Sequence, residues 1–241
     1  MNFLTQTNAS SVIVYDADLI EQAGGFLFQG SHWERQGLVA GQAQGRGSAL
    51  FLETSFGPAV LRHYLRGGWA AGFSRDRYVF TGFDRSRPLM ELKMLVKLQQ
   101  LELPVPRPLA AHCERSGLFY RGSLLTRRIP DVTPLADRLI DETFATELWR
   151  ETGKCIRKFH DQGVIHSDLN CRNILVHSSG AIYLIDFDRA RVRQGARMAF
   201  KANLSRLHRS LEKTWPEGRQ SRLEKAWAIL SSAYAEKAGP Q

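Results

Sequence analysis

The order of apolar and polar positions divides the chain into a strand-rich first half and a helix-rich second half. Alternating or wholly apolar runs mark strands at residues 11–15, 49–53, 59–62, 119–126, 174–176 and 182–185, and residues 25–28 read as a strand or the approach to one. Longer stretches carry apolar residues at helical spacing. Met90, Met94, Leu98 and Leu101 predict an amphipathic helix over residues 89–101, which Leu103-Pro104-Val105-Pro106 then breaks. Leu148, Thr152, Cys155, Ile156 and Phe159 give a second helix, over residues 144–161, its buried stripe. Leu204, Leu207 and Leu211 give another its buried edge and leave Arg206 and Arg209 free. Leu223, Trp227, Leu230 and Tyr234 line a last helix over residues 220–237. There is no internal repeat and no low-complexity linker.

The two runs at 174–176 and 182–185 flank a polar turn at residues 177–180 and predict a hairpin. Just before it stands His166-Ser167-Asp168-Leu169-Asn170-Cys171-Arg172-Asn173, and just after it Asp186-Phe187-Asp188. This arrangement resembles the catalytic loop His-Arg-Asp-Leu-x-x-x-Asn and the metal-binding Asp-Phe-Gly of protein-kinase-like enzymes. The spacing has a chemical reason. Phosphoryl transfer demands positioning and charge neutralisation more than covalent chemistry. Asp168 is the candidate base for the attacking hydroxyl. Asn173 and Asp186 offer oxygen ligands of the kind Mg2+ prefers, and a hairpin between them would bring both to one rim of a sheet. His166 is expected to brace the loop by hydrogen bonding, and His160 to be a helix-end cation or packing residue.

Upstream, Gly45 and Gly47 flank Arg46 in a degenerate glycine-rich loop able to approach phosphates. Ala59-Val60-Leu61-Arg62 occupies the place of the kinase Val-Ala-Ile-Lys strand, with Arg62 where the phosphate-binding lysine stands. Glu91, near the start of the next helix, is its candidate partner. Leu125, Thr126 and Arg127 could line an adenine slot. The resemblance to kinase-like enzymes implies an α+β, two-lobed protein-kinase-like fold: residues 1–128 as a nucleotide-binding lobe of antiparallel sheet with one main helix, and residues 129–241 as a mostly helical catalytic and acceptor-binding lobe.

Composition narrows the partners. The chain has 241 residues, 43% of them apolar, enough for a sizeable core. Its 33 Lys and Arg against 24 Asp and Glu give a net charge of +9, which favours anionic partners. Arg189, Arg191, Arg193, Arg197, Lys201, Arg206 and Arg209 follow the metal-binding motif with no acid among them, where a kinase receives its acceptor. This run points to an acidic substrate or an anionic membrane surface. No stacking aromatics interleave it, which argues against nucleic acid. Cys113, Cys155 and Cys171 form no CxxC and read as reduced thiols of a cytosolic protein. The N-terminus lacks the features of a signal peptide, and no run approaches the length of a membrane span.

Taken together, Gly45-Arg46-Gly47, Val60-Leu61-Arg62-His63-Tyr64-Leu65-Arg66-Gly67-Gly68, Leu103-Pro104-Val105-Pro106, His166 to Asn173, Asp186-Phe187-Asp188 and Asn203-Leu204-Ser205-Arg206-Leu207-His208-Arg209-Ser210-Leu211 resemble the bacterial lipopolysaccharide kinases. Within that family the resemblance is to those acting on 3-deoxy-D-manno-octulosonic acid (Kdo). It implies ATP with Mg2+ and transfer of the γ-phosphate to the 4-hydroxyl of Kdo on a lipid A precursor. It further implies a peripheral location on the cytoplasmic side of the inner membrane. By position, Asp168 is the base, Asn173 and Asp186 bind metal, and Arg62 with Glu91 steadies the phosphates. Arg62 for Lys and Asp188 for Gly depart from the general kinase pattern. The residues alone leave open a heptose kinase of the same pathway, a small atypical protein kinase and a non-catalytic ATP-binding module. The missing Ala-Pro-Glu and activation segment argue against the second, and the intact Asp168, Asn173 and Asp186 set against the third.

Overall fold

A computed structural model describes residues 1–43, 49–64, 78–140 and 145–236. Among these the chain forms strands β1 (Phe3–Thr7) and β2 (Ser11–Asp16), helix α1 (Gly30–Arg35), β3 (Val39–Ala43), β4 (Ala49–Thr54), β5 (Gly57–His63), β6 (Tyr78–Val79), α2 (Arg87–Gln100), β7 (Pro108–Ser116) and β8 (Phe119–Arg127). There follow β9 (Val132–Pro134), α3 (Leu135–Arg138), α4 (Thr146–Asp161), β10 (Val164–Ile165), β11 (Ile174–His177), β12 (Ile182–Leu184), β13 (Arg191–Val192), α5 (Arg197–Thr214) and α6 (Gln220–Ala235). The result is the expected α+β class. The chain divides into two compact units, residues 1–96 with 106–128, and residues 97–105 with 129–241.

The first unit is built on an eight-stranded sheet in the order β1-β2-β7-β8-β5-β4-β3, with β6 added to β8. All its pairings are antiparallel. Alternation along β5 sends Ala59 and Leu61 into a core with Leu52, Leu109, Leu125, Phe28 and Trp33. The same alternation turns Arg62 to the other face. Helix α2 has Pro88 in its first turn, where a missing N–H costs nothing. It ends at Glu102, whose φ of 54° lets the Leu103 N–H reach the Leu98 carbonyl at 3.0 Å.

Three local expectations change. Residues 25–28 form a 3-10 turn, not a strand: the consecutive apolar residues bury Leu27 and Phe28 together, and the Trp33 indole N–H donates to the Leu27 carbonyl at 2.9 Å. On α2 the buried stripe is Leu89, Leu92, Leu95 and Leu98, a second apolar set at helical spacing, while Met90 is exposed. On α6 the buried residues are Leu223, Ala226, Leu230 and Ala233, with Trp227 and Tyr234 half-buried against histidines.

In the second unit α4 packs along α6. Gly153 permits this, since a Cβ there would lie 2.3 Å from the Leu230 carbonyl oxygen. Helix α4 ends at Gly163, whose φ of 74° closes the helix and starts β10. The β11–β12 hairpin pairs Ile174 with Leu184 and Val176 with Ile182, and β9 lies on the outer side of β11. Strand β10 pairs with β13, so the chain leaving the hairpin returns at once beside the strand that entered the loop. All three cysteines are buried, free thiols. Burial pushes Cys155 up to about 12 and Cys113 up to about 11, so both are inert. Among the described residues no helix is long and apolar enough to cross a membrane.

Candidate active site

The hairpin register builds the end of the site. With Ile174 opposite Leu184, the next position back sets Asn173 against Ile185, and the Ile185 N–H donates to the Asn173 carbonyl at 3.0 Å. Asn173 and Asp186 therefore emerge from the two legs of one hairpin at the same end. Asp186 has a φ of 64°, a left-handed conformation that Asp tolerates better than most residues and that recurs at functional sites. Phe187, buried against Phe159 and the His166 ring, anchors the turn that follows.

Asp168 reaches the same end through the loop between β10 and β11. Its backbone carbonyl accepts from Asn173 Nδ2 at 2.9 Å, which orients the amide and leaves Oδ1 as its remaining acceptor. The Asp168 carboxylate is exposed. Its Oδ2 accepts from Asn170 Nδ2 at 3.1 Å, and Arg206 Nη1 lies 3.6 Å from its Oδ1. Asn170 also caps the loop by accepting from the Arg172 and Asn173 N–H groups at 2.9 and 3.2 Å. The three sequence-selected residues of this unit thus converge. An amide and a carboxylate that offer oxygens, beside a solvent-reachable carboxylate, form a donor set for a hard divalent cation and a base for a hydroxyl.

His166 is the brace beneath them. Its Nε2–H donates to the Ile185 carbonyl at 3.0 Å, and its Nδ1 accepts from the Asp168 N–H at 3.1 Å, so one neutral tautomer satisfies both legs. Burial lowers its pKa, against the opposing pull of the Ile185 carbonyl and the nearby Asp186 and Asp168 carboxylates. Ser167 Oγ adds a further tie by donating to the Asp188 carbonyl.

Asn203 on α5 holds this brace from behind. Its Oδ1 accepts from the His166 N–H at 3.0 Å, and its Nδ2 donates to the His166 carbonyl at 2.7 Å. His160 Nε2–H also donates to Asn203 Oδ1, at 3.3 Å, and the Tyr234 hydroxyl donates to His160 Nδ1 at 2.8 Å. Burial drives His160 down to about 4, so it is a neutral packing residue and not a helix-end cation. Sequence reasoning includes Asn203 in a family-like segment but gives it no role, although the signal for one is there. Asn203, Leu207 and Leu211 recur at i, i+4 and i+8, which puts a polar residue on the buried stripe of α5. The expectation that Arg206 stands free is corrected by its approach to Asp168.

In the first unit, Arg62 and Glu91 do meet. Arg62 Nη2 donates to Glu91 Oε2, and the Tyr64 hydroxyl donates to the same oxygen. The Arg62 guanidinium lies 4.8 Å from the centre of the Tyr64 ring. In the sequence Tyr64 stands only as a neighbour of Arg62 in the family-like segment; its position two residues further on puts it on the same face of the strand. Arg87 closes the cluster by donating to the Tyr78 hydroxyl at 2.7 Å. Gly45 and Gly47, together with Arg66, Gly67 and Gly68, lie outside the described residues.

Residues 30–234 match the lipopolysaccharide kinase (Kdo/WaaP) family. The chain belongs to that family. It is 43% identical over 222 residues to a 3-deoxy-D-manno-octulosonic acid kinase of Stenotrophomonas maltophilia, covering 92% of this chain and 88% of the relative. It is 40% identical over 223 residues to a protein of the same name in Photobacterium profundum, covering 92% and 94%. It is 41% identical over 222 residues to one in Xanthomonas euvesicatoria pv. vesicatoria, covering 92% and 88%.

Proposed function

We propose that this chain is an ATP-dependent kinase that phosphorylates the 4-hydroxyl of Kdo on a lipid A precursor during assembly of the lipopolysaccharide core. The observation that carries the reading is the convergence of Asp168, Asn173 and Asp186 at one end of the β11–β12 hairpin, in a chain of the Kdo/WaaP family.

In this reading Asp168 accepts the proton of the attacking hydroxyl. Its exposure lets an acceptor reach it, and Asn170 and Asn173 hold the loop that carries it. Asn173 Oδ1 and the Asp186 carboxylate fit Mg2+, because both are oxygen donors and Asn173 presents its oxygen once its amide nitrogen is bound to the Asp168 carbonyl. The ion when bound neutralises charge on the phosphates of ATP. Arg62 supplies a cation for the phosphates and is held in place by Glu91 and Tyr64. Residues 1–128 then act as the nucleotide-binding lobe and residues 129–241 as the catalytic and acceptor-binding lobe.

The exposed basic residues of α5, Arg197, Lys201, Arg206 and Arg209, support an anionic acceptor and a peripheral seat on the cytoplasmic face of the inner membrane. The test is incubation with labelled ATP and lipid A precursors that bear Kdo or heptose, followed by mapping of the labelled position. Label on the Kdo 4-hydroxyl that disappears in Asp168→Asn is expected. Label only on heptose, or only on protein, removes the assignment.

A further inference from the structure

Helix α5 meets the loop that carries Asp168 along a single face. Asn203, Arg206 and Ser210 recur at i, i+3 and i+7 and so share one side of the helix. Each faces a loop residue in order. Asn203 grips both backbone groups of His166. Ser210 Oγ accepts from the Cys171 N–H at 3.2 Å and lies 3.1 Å from its sulfur. Between these two ties, Arg206 Nη1 stands 3.6 Å from Asp168 Oδ1. The outer contacts fix the register of helix on loop, and that register delivers a guanidinium to the base.

Fold stability does not account for this cation. Both partners are about half exposed, 50% for Arg206 and 57% for Asp168, and the separation is beyond hydrogen-bond range. Exposed pairs of this kind contribute little. The direction of approach is informative. Asp168 Oδ2 is held by Asn170, whereas Arg206 comes to Oδ1 from the helix. Arg209, also exposed, lies one turn further along α5 and extends positive charge away from the loop.

We propose that Arg206 is a specificity-determining residue that binds the carboxylate of the acidic sugar whose hydroxyl is delivered to Asp168. This rests on the Kdo-kinase reading. In Kdo the carboxylate-bearing carbon and the 4-hydroxyl carbon are separated by one ring carbon, so a single sugar presents an acid and an acceptor hydroxyl close together. A base with a guanidinium beside it matches that pair. A guanidinium also takes a carboxylate in a planar, two-pronged contact that a lysine cannot reproduce. The same cation disfavours neutral hexoses and heptoses, which leave it without an anion.

The experiment compares the full-length wild type, Arg206→Gln and Arg206→Lys on a Kdo-bearing lipid A precursor and on the same lipid with the Kdo carboxylate converted to its methyl ester. The wild type is expected to favour the acid over the ester about tenfold or more in kcat/KM. Arg206→Gln is expected to raise the acceptor KM by a similar factor, to leave the ATP KM within about twofold, and to treat acid and ester alike. Arg206→Lys should recover part of the preference. A glutamine variant that still favours the acid by the wild-type factor, or one whose loss falls on the ATP KM, overturns the assignment while leaving the Kdo-kinase reading intact. A wild type inert toward the Kdo lipid overturns both.

Discussion

Arg62 and Glu91, on a strand and on the following helix, are joined through a carboxylate oxygen that also receives the Tyr64 hydroxyl, and Glu91 is almost wholly buried. Glu91→Gln keeps one oxygen able to accept, but it removes the charge that pairs with Arg62 and sets an amide NH2 against the donors of Arg62 and Tyr64. Glu91→Gln is therefore expected to cost about 2–4 kcal/mol, the range for breaking a buried, hydrogen-bonded pair whose partner keeps some solvent. The melting temperature should fall by about 5–10 °C. Arg62→Lys keeps the charge and should lose less stability, but it should raise the ATP KM. An unchanged ATP KM would separate Arg62 from phosphate binding.

Asn203 is the next test. Its side chain satisfies the N–H and the carbonyl of His166 and meets His160 as well. Asn203→Ala leaves buried backbone groups unpaired, at a cost of about 2–4 kcal/mol. Because His166 in turn orients Asp168, kcat should drop while the ATP KM changes little. Thermal melts and initial rates on one preparation check both. A variant as stable and as fast as the wild type would show that the loop holds its shape without α5.

The pH dependence has a definite sign. Burial holds His160 down to about 4 in the folded chain, whereas an unfolded histidine titrates at about 6.5. Above that unfolded value both states are neutral, and stability is level with respect to this group. As the pH falls from about 6.5 toward 4 only the unfolded chain gains the proton, and stability declines by up to about 1.4 kcal/mol per unit, about 3 kcal/mol in all. His166, also lowered by burial, acts in the same direction. Melting temperature against pH between 7.5 and 4.5 should fall more steeply in the wild type than in His160→Gln. Equal slopes would remove His160 as a source of acid sensitivity.

Gly153 predicts a packing effect with no charge involved. A methyl group there meets the Leu230 carbonyl oxygen at 2.3 Å and the Tyr234 nitrogen at 3.1 Å, both backbone. Helix α6 must move to admit it. Gly153→Ala should cost about 1–3 kcal/mol despite the better helix propensity of alanine, as read from denaturant unfolding. Stabilisation by the alanine would mean that the two helices pack less closely than described.

The candidate catalytic residues stand close together in the sequence because the chemistry proposed for them ties them to a local pattern. The residues from His166 to Asn173 and Asp186 belong to one loop and one hairpin, so short-range spacing carries their arrangement. Arg62 and Glu91 are also legible, since a strand-end cation and a helix-start acid can be paired by position. The contacts that position the site are not. Arg206 against Asp168, Asn203 against His166 and Ser210 against Cys171 link residues 37 to 39 positions apart, through the phase of α5 against the loop. Period-counting places the leucines of that helix but gives no means of knowing which element its polar face will meet. The misplacement of Met90 on α2 is of the same kind, because α2 carries two apolar sets at helical spacing and the one buried is Leu89, Leu92, Leu95 and Leu98.

Only Arg189 and Ala190 stand between Asp188 and strand β13, which lies against the strand leading into the loop of Asp168. The chain is stitched shut on both sides of its reactive groups. Two residues leave no room for a long loop between Asp188 and β13, so a segment that could swing aside or carry a regulatory phosphate has no place at that point of the chain.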